Sequence, residues 1–254
     1  MLNRKIYTLV FLLTFVLSAG GVFAQLNISS DTVSDNILLT REHSFYGLLH
    51  SNGWGFGFRK GLNRDYFKKQ MFEAEFLEMR SSKETRSINY PGTKSFYYGK
   101  INACYIIRSG VGYQYLLNQK PYWGGIEVRS FFYVGGEIAL AKPVYLNILT
   151  SSGIANTLSY VATLRSDPQT QPRELIYGRA SFFKGINQIK PYPGIYAKFG
   201  ANFEYGSYNT RLKAIETGVV LDYHFKAVPI MAENKNPNLI PTVYISFHFG
   251  KRYN

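Results

Sequence analysis

The chain is poor in cysteine. Cys104 is the only one among 254 residues, which excludes an internal disulfide and any cysteine-cluster metal centre. Histidine is scarce too: His43, His50, His224 and His248 show no His-x-x-x-His spacing, so no metal site is expected. Beyond the N-terminus no apolar run approaches the ~20 residues of a membrane-spanning helix. Acidic residues number 16 against 29 Lys and Arg, a formal charge of +13, yet no basic recognition helix accompanies that excess, so nucleic acid is not an expected partner. Internal repeats, low-complexity tracts and linkers are absent. The glycine run Gly53-Trp54-Gly55-Phe56-Gly57 lacks the following helix whose N-terminus would hold a phosphate, so it implies no cofactor. In an alternating strand, such glycines relieve crowding inside a tight barrel.

The N-terminus carries an export signal. Arg4 and Lys5 precede an apolar stretch from Ile6 to Leu17, and Val22-Phe23-Ala24 suits cleavage before Gln25. Residues 1–24 are therefore expected to be a signal peptide. The alternative, an uncleaved anchor, has a short apolar core for a spanning helix. No cysteine follows the stretch, so a lipoprotein anchor is not expected. Residues 25–254 suit one large β domain. With Arg4 and Lys5 gone the charge falls to about +11, which suggests acidic company such as lipopolysaccharide phosphates or an acidic protein. A basic surface with no dedicated ligand is the plainer reading.

Strict alternation dominates the rest. From Ile195 to Tyr205 the odd positions are apolar (Ile195, Ala197, Phe199, Ala201, Phe203, Tyr205) and the even ones are polar or small. Ile215, Thr217, Val219, Leu221, Tyr223 and Phe225 repeat the pattern against Glu216 and Asp222. Period two means extended strands with one apolar and one polar face. The expected fold is an all-β antiparallel transmembrane β-barrel of about 10 strands, range 8–12, with periplasmic termini. Strands are expected at 42–51, 53–61, 67–80, 96–107, 109–118, 124–134, 136–147, 191–206, 211–226 and 242–251. Breaks are placed at Ser51-Asn52-Gly53, Ser109-Gly110, Asn118–Pro121, Gly135-Gly136 and Gly206–Asn209. The long connections 81–95, 148–190 and 227–241 then share the outer end. Outer loop 148–190 is too long for an ordinary loop and is expected to form a cap or two further strands.

A soluble barrel or sandwich also alternates, with its apolar face inward. The polar face here mixes signs, as a filled lumen does, with Glu73, Arg108, Arg129, Glu204 and Glu216 as the expected lumen network. The 21 tyrosines and 19 phenylalanines gather near strand ends, where they would form interface girdles.

The final strand sets Val243, Ile245, Phe247 and Phe249 on one face, similar to the signal by which outer-membrane assembly machinery recognises its clients. The tail Gly250-Lys251-Arg252-Tyr253-Asn254, with the phrases Gly124-Gly125-Ile126-Glu127-Val128-Arg129 and Lys142-Pro143-Val144-Tyr145-Leu146, resembles an uncharacterised outer-membrane β-barrel protein family of Bacteroidota. Asp31-Thr32-Val33 resembles the short O-glycosylation acceptor of that group. The resemblance implies an outer-membrane location and a barrel. It implies no activity and offers no catalytic residues.

Chemistry has few candidates. In His50-Ser51-Asn52 the adjacent residues point to opposite faces, unlike the His-x-Ser pair of lipid A deacylases. Ser246 and His248 share the inward face with Asp222 and His224, so a Ser–His–Asp relay is conceivable; ordinary polar lumen residues are the simpler reading. Arg173, Arg179, Lys184 and Lys190 in the long outer loop are candidates to bind lipid or a partner. The expected function is therefore a non-enzymatic barrel, an accessory or structural subunit of an outer-membrane assembly interacting with lipopolysaccharide or other outer-membrane proteins. The alternatives are a lipid-A-modifying outer-membrane hydrolase and a narrow passive pore.

Overall fold

Alternating sequence becomes alternating burial. In β12 (Arg211–His224) Leu212, Ala214, Glu216, Val220, Asp222 and His224 are buried, while Thr217, Leu221 and Tyr223 are exposed. The computed structural model describes residues 39–63, 65, 67–120, 125–151, 159–206, 210–232 and 236–254. The signal peptide, its cleavage site and Asp31-Thr32-Val33 lie outside the described residues. The other strands are β1 (Arg41–His50), β2 (Gly53–Asn63), β3 (Lys68–Met79), β4 (Arg86–Ser87), β5 (Phe96–Tyr97), β6 (Asn102–Asn118), β7 (Glu127–Pro143), β8 (Tyr145–Ser151), β9 (Ser159–Arg165), β10 (Ile176–Arg179), β11 (Lys190–Glu204) and β13 (Leu239–Tyr253).

Eight of these close a barrel in the order β1-β13-β12-β11-β7-β6-β3-β2, every neighbouring pair antiparallel. The first and last strands make the seam, from Arg41 opposite Tyr253 to His50 opposite Tyr244. Eight is the lower bound of the expected range, and the expectation of ten fails at two places. Ser109-Gly110 is no turn: it lies within the 17-residue β6. Gly135-Gly136 lies within the 17-residue β7. The two apparent breaks face one another, Ser109 opposite Gly136 and Gly110 opposite Gly135. Gly110 serves packing: a Cβ there would collide with the Tyr196 hydroxyl and stand 3.1 Å from its Cζ. Gly110 thus seats an aromatic side chain inside the wall rather than bending the chain.

Antiparallel order fixes the two ends. Connections 51–52, 80–101, 144–189 and 225–238 lie at one end; both chain ends of the barrel and connections 64–67, 119–126 and 205–210 lie at the other. The 144–189 connection adds no barrel strand. It forms a three-stranded sheet, β10-β8-β9, over a small core of Phe96, Leu146, Ile148 and Ile176. Connection 225–238 turns inward instead. Val228, Ile230 and Met231 pack against the lumen-facing Leu48, Leu77, Met79, Cys104, Ile106, Ala139 and Ala141. Backbone bonds hold it there, Ile101 N–H donating to Ile230 O at 2.9 Å and Ala232 N–H to Gly99 O at 2.8 Å. The barrel mouth at the long-loop end is thus plugged with apolar side chains.

Candidate functional site

Below the plug the lumen is a layered polar core. Arg59 on β2 is 1% exposed. Its guanidinium donates to Glu216 on β12 at 2.7 and 3.1 Å and to Glu73 on β3 at 2.9 Å, and it lies 4.5 Å from the centroid of Tyr133. Tyr244 and Asn202 also donate to Glu216, at 2.7 and 3.2 Å. Lys198 on β11 bridges Glu73 and Glu75, while Tyr196 donates to Glu73 at 2.9 Å and Tyr46 to Glu75 at 2.7 Å. Nearer the plug, Arg108 on β6 reaches Asp222 at 2.8 Å, Glu137 at 3.4 Å and Glu75 at 3.5 Å. At the chain-terminus end Arg252 joins Glu42 and Glu204, and Glu42 also takes Lys69 at 3.0 Å. Arg59, Arg108 and Arg252 each therefore tie together carboxylates from different strands. Buried charge is tolerated only when paired and hydrogen-bonded in this way.

One cavity touches His50, Glu75, Arg108, Asp222, Thr242 and Tyr244, with about 10 Å³ for the centre of a water molecule, room for about one water. His224, Glu137 and the second oxygen of Asp222 nearby have no hydrogen-bond partner, although His224 Nε2 stands 3.4 Å from Glu137 Oε1. Among the described residues no group of three or more potential ligands could hold a metal.

Glu73, Arg108, Arg129, Glu204 and Glu216 are all buried; Arg129 pairs with Glu127. Ser246 and His248 meet, Oγ to Nε2 at 3.0 Å, but no relay runs on to Asp222, which is held by Arg108. The carboxylate near His248 is Glu216, 3.9 Å from that same Nε2, whereas a relay needs base and carboxylate on opposite ring nitrogens. Ser246 has no exposed surface and His248 is stacked under Tyr46. His224 faces Glu137 instead of Ser246.

Arg173 donates to Ser87 Oγ at 3.1 Å, and Lys190 opens β11 opposite Ala141. Arg179 and Lys184 flank Phe182 and Phe183, and this segment packs on the outside of the barrel: Phe182 meets Tyr105 of β6, with ring centroids 6.4 Å apart, and Lys142 of β7 lies 4.4 Å from the Phe182 centroid. Lys142 is a rim residue that the loop-centred sequence reading missed. So were Arg59, Glu137, Glu42 and Arg252 in the lumen. Their signal was available: Arg129, Phe131, Tyr133, Gly135 and Glu137 keep one parity straight through the supposed turn.

No protein-family model matches the chain, and no curated protein matches it. Among solved structures it is similar to Ail, the attachment invasion locus protein of Yersinia pestis, at 7% identity over 84% of this chain and 96% of that one, with a TM-score of 0.37. Neisserial surface protein A (NspA) aligns at 8% identity over the same shares, with a TM-score of 0.39. Ail in complex with the heparin analogue sucrose octasulfate aligns at 8% and 0.38, again over 84% and 96%. The barrel described above stands on this chain's own strand pairing.

Proposed function

We propose that the protein is a sealed outer-membrane β-barrel, a non-enzymatic accessory or structural subunit that meets lipopolysaccharide or a partner protein through its long-loop end. The observation that carries this is inverted polarity. The barrel buries Arg59, Lys198, Glu73 and Glu216 in its lumen and exposes Phe45, Phe56, Phe132, Ile195, Phe199, Val243 and Phe249 outside. In water that arrangement is unfavourable on both faces; in hydrocarbon it satisfies both. The outward residues of β13 stay apolar from Leu239 to Phe249 before Lys251. That run spans about 34 Å along the strand and, at a tilt of about 40°, about 26 Å along the barrel axis. This is close to the apolar band of outer-membrane barrels, ≈ 25 Å. Export, the aromatic final strand and the Bacteroidota-like tail all agree with it.

The sealed lumen supports a structural role over a pore, and buried Ser246 supports it over a hydrolase. The termini then lie on the periplasmic side, and cap and plug face outward. The test is membrane fractionation with unboiled gels. The mature protein, starting at Gln25, should be found in the outer membrane and migrate differently before and after boiling. Recovery as a soluble periplasmic protein would end this reading.

A further inference from the structure

A row of rings circles part of the outer wall near the long-loop end. Phe56 of β2 meets Phe76 of β3 with centroids 5.4 Å apart, Phe76 stacks with Tyr105 of β6 at 5.9 Å, Tyr105 meets Phe182 at 6.4 Å and Phe182 meets Phe183 at 5.8 Å. Aromatic rows on a barrel exterior mark the level of lipid headgroups. The row ends at a cluster of cations. Lys142 is 7% exposed, its ammonium turned to Phe182, and Arg179 is near enough for the two charges to repel. Lys184 lies two residues beyond Phe182. Glu78, opposite Tyr105 in the β3–β6 pairing, is engaged by Arg80 through bonds of 3.0 and 3.1 Å. Neither Lys142 nor Arg179 has an ion-pair partner among the described residues. Lys142, with its ammonium against the Phe182 ring, and Arg179 are thus within range of mutual repulsion, which an anion arriving from outside would relieve.

We propose that Lys142, Arg179 and Lys184 form a binding site for the phosphate of an outer-leaflet glycolipid, with Phe182, Phe183 and Tyr105 against its acyl chains. The site rests on the membrane reading above, and it differs from a soluble-anion site because its floor is exposed aromatic surface: Phe182 and Phe183 are 57% and 76% exposed. Cations at headgroup depth beside apolar rings match a molecule that carries phosphate and hydrocarbon together.

The test compares lipid A with dephosphorylated lipid A, titrated into the folded, detergent-purified wild-type barrel. Loss of the phosphates should weaken binding about tenfold or more. Equal binding would overturn the site, as would inorganic phosphate competing as well as the lipid. On the variant side, Lys142→Gln/Arg179→Gln should lose co-purifying lipid phosphate while Arg173→Gln, a loop cation that donates to Ser87 instead, keeps it. Equal retention or equal loss in both contradicts the assignment, and so does loss of a co-purifying protein with lipid unchanged. Heat-modifiability of the same preparations reports the barrel separately, so a failed site and a failed membrane reading are told apart.

Discussion

Replacing Arg59 with Met should show how far the lumen acts as the core of this protein. The substitution keeps much of the side-chain volume, so the cavity contribution is small. It removes three hydrogen bonds, of 2.7, 2.9 and 3.1 Å, to Glu216 and Glu73, together with the contact to the Tyr133 ring. Taking one partner from a buried pair costs about 3–5 kcal/mol, because the remaining charge is left uncompensated. Here Glu73 retains Lys198 and Tyr196, and Glu216 retains Tyr244 and Asn202. The loss should therefore fall near the lower end, about 3 kcal/mol. Adding Glu216→Gln removes the charge most directly stranded, and the double variant should return to within about 1.5 kcal/mol of wild type. The assay is equilibrium urea unfolding in detergent micelles, with the folded fraction read from unboiled gels. A single variant within about 0.5 kcal/mol of wild type, or additive losses in the double variant, would refute the reasoning.

Arginine at outward Phe199, Phe203 or Val219 should cost about 2–4 kcal/mol near the bilayer midplane, while arginine at lumen-facing Asn202 costs less; unfolding in lipid vesicles measures both, and equal tolerance would mean the faces are misassigned. Cys104, 1% exposed beneath the plug, should resist maleimide in the folded barrel and react after boiling. Ile230→Gly/Met231→Gly should open it to labelling without producing a channel, since the Arg108 and Arg59 layers lie below; labelling unchanged by the double variant would mean the plug does not cover the thiol.

Face assignment was legible wherever alternation ran unbroken, as in β11, β12 and β13, because a one-residue slip would move every side chain to the wrong surface. What misled was glycine. Gly110, Gly135 and Gly136 read as turn residues by composition, yet Gly110 sits opposite Gly135 within paired strands and makes room for Tyr196; local chemistry cannot separate a bend from a seat for a ring on a distant strand. The ion network was half legible. Parity assigns Glu73 or Glu216 to the lumen, but the choice of partner depends on which strands face each other across it, as Arg59 does Glu216, 157 positions away. The plug was hidden because connection 225–238 has no period; Val228-Pro229-Ile230-Met231 is an apolar run in an expected surface loop, and that was its one trace. Lys142 escaped notice because its neighbours Arg179 and Phe182 arrive from the cap.

Conductance in a planar lipid bilayer tests the sealed-barrel account most directly. Purified, folded protein inserted into the bilayer should show no steady channel, because the Arg252, Arg59 and Arg108 layers and the Val228–Met231 plug close the lumen in series. A stable conductance from the folded barrel would contradict it and favour a passive pore.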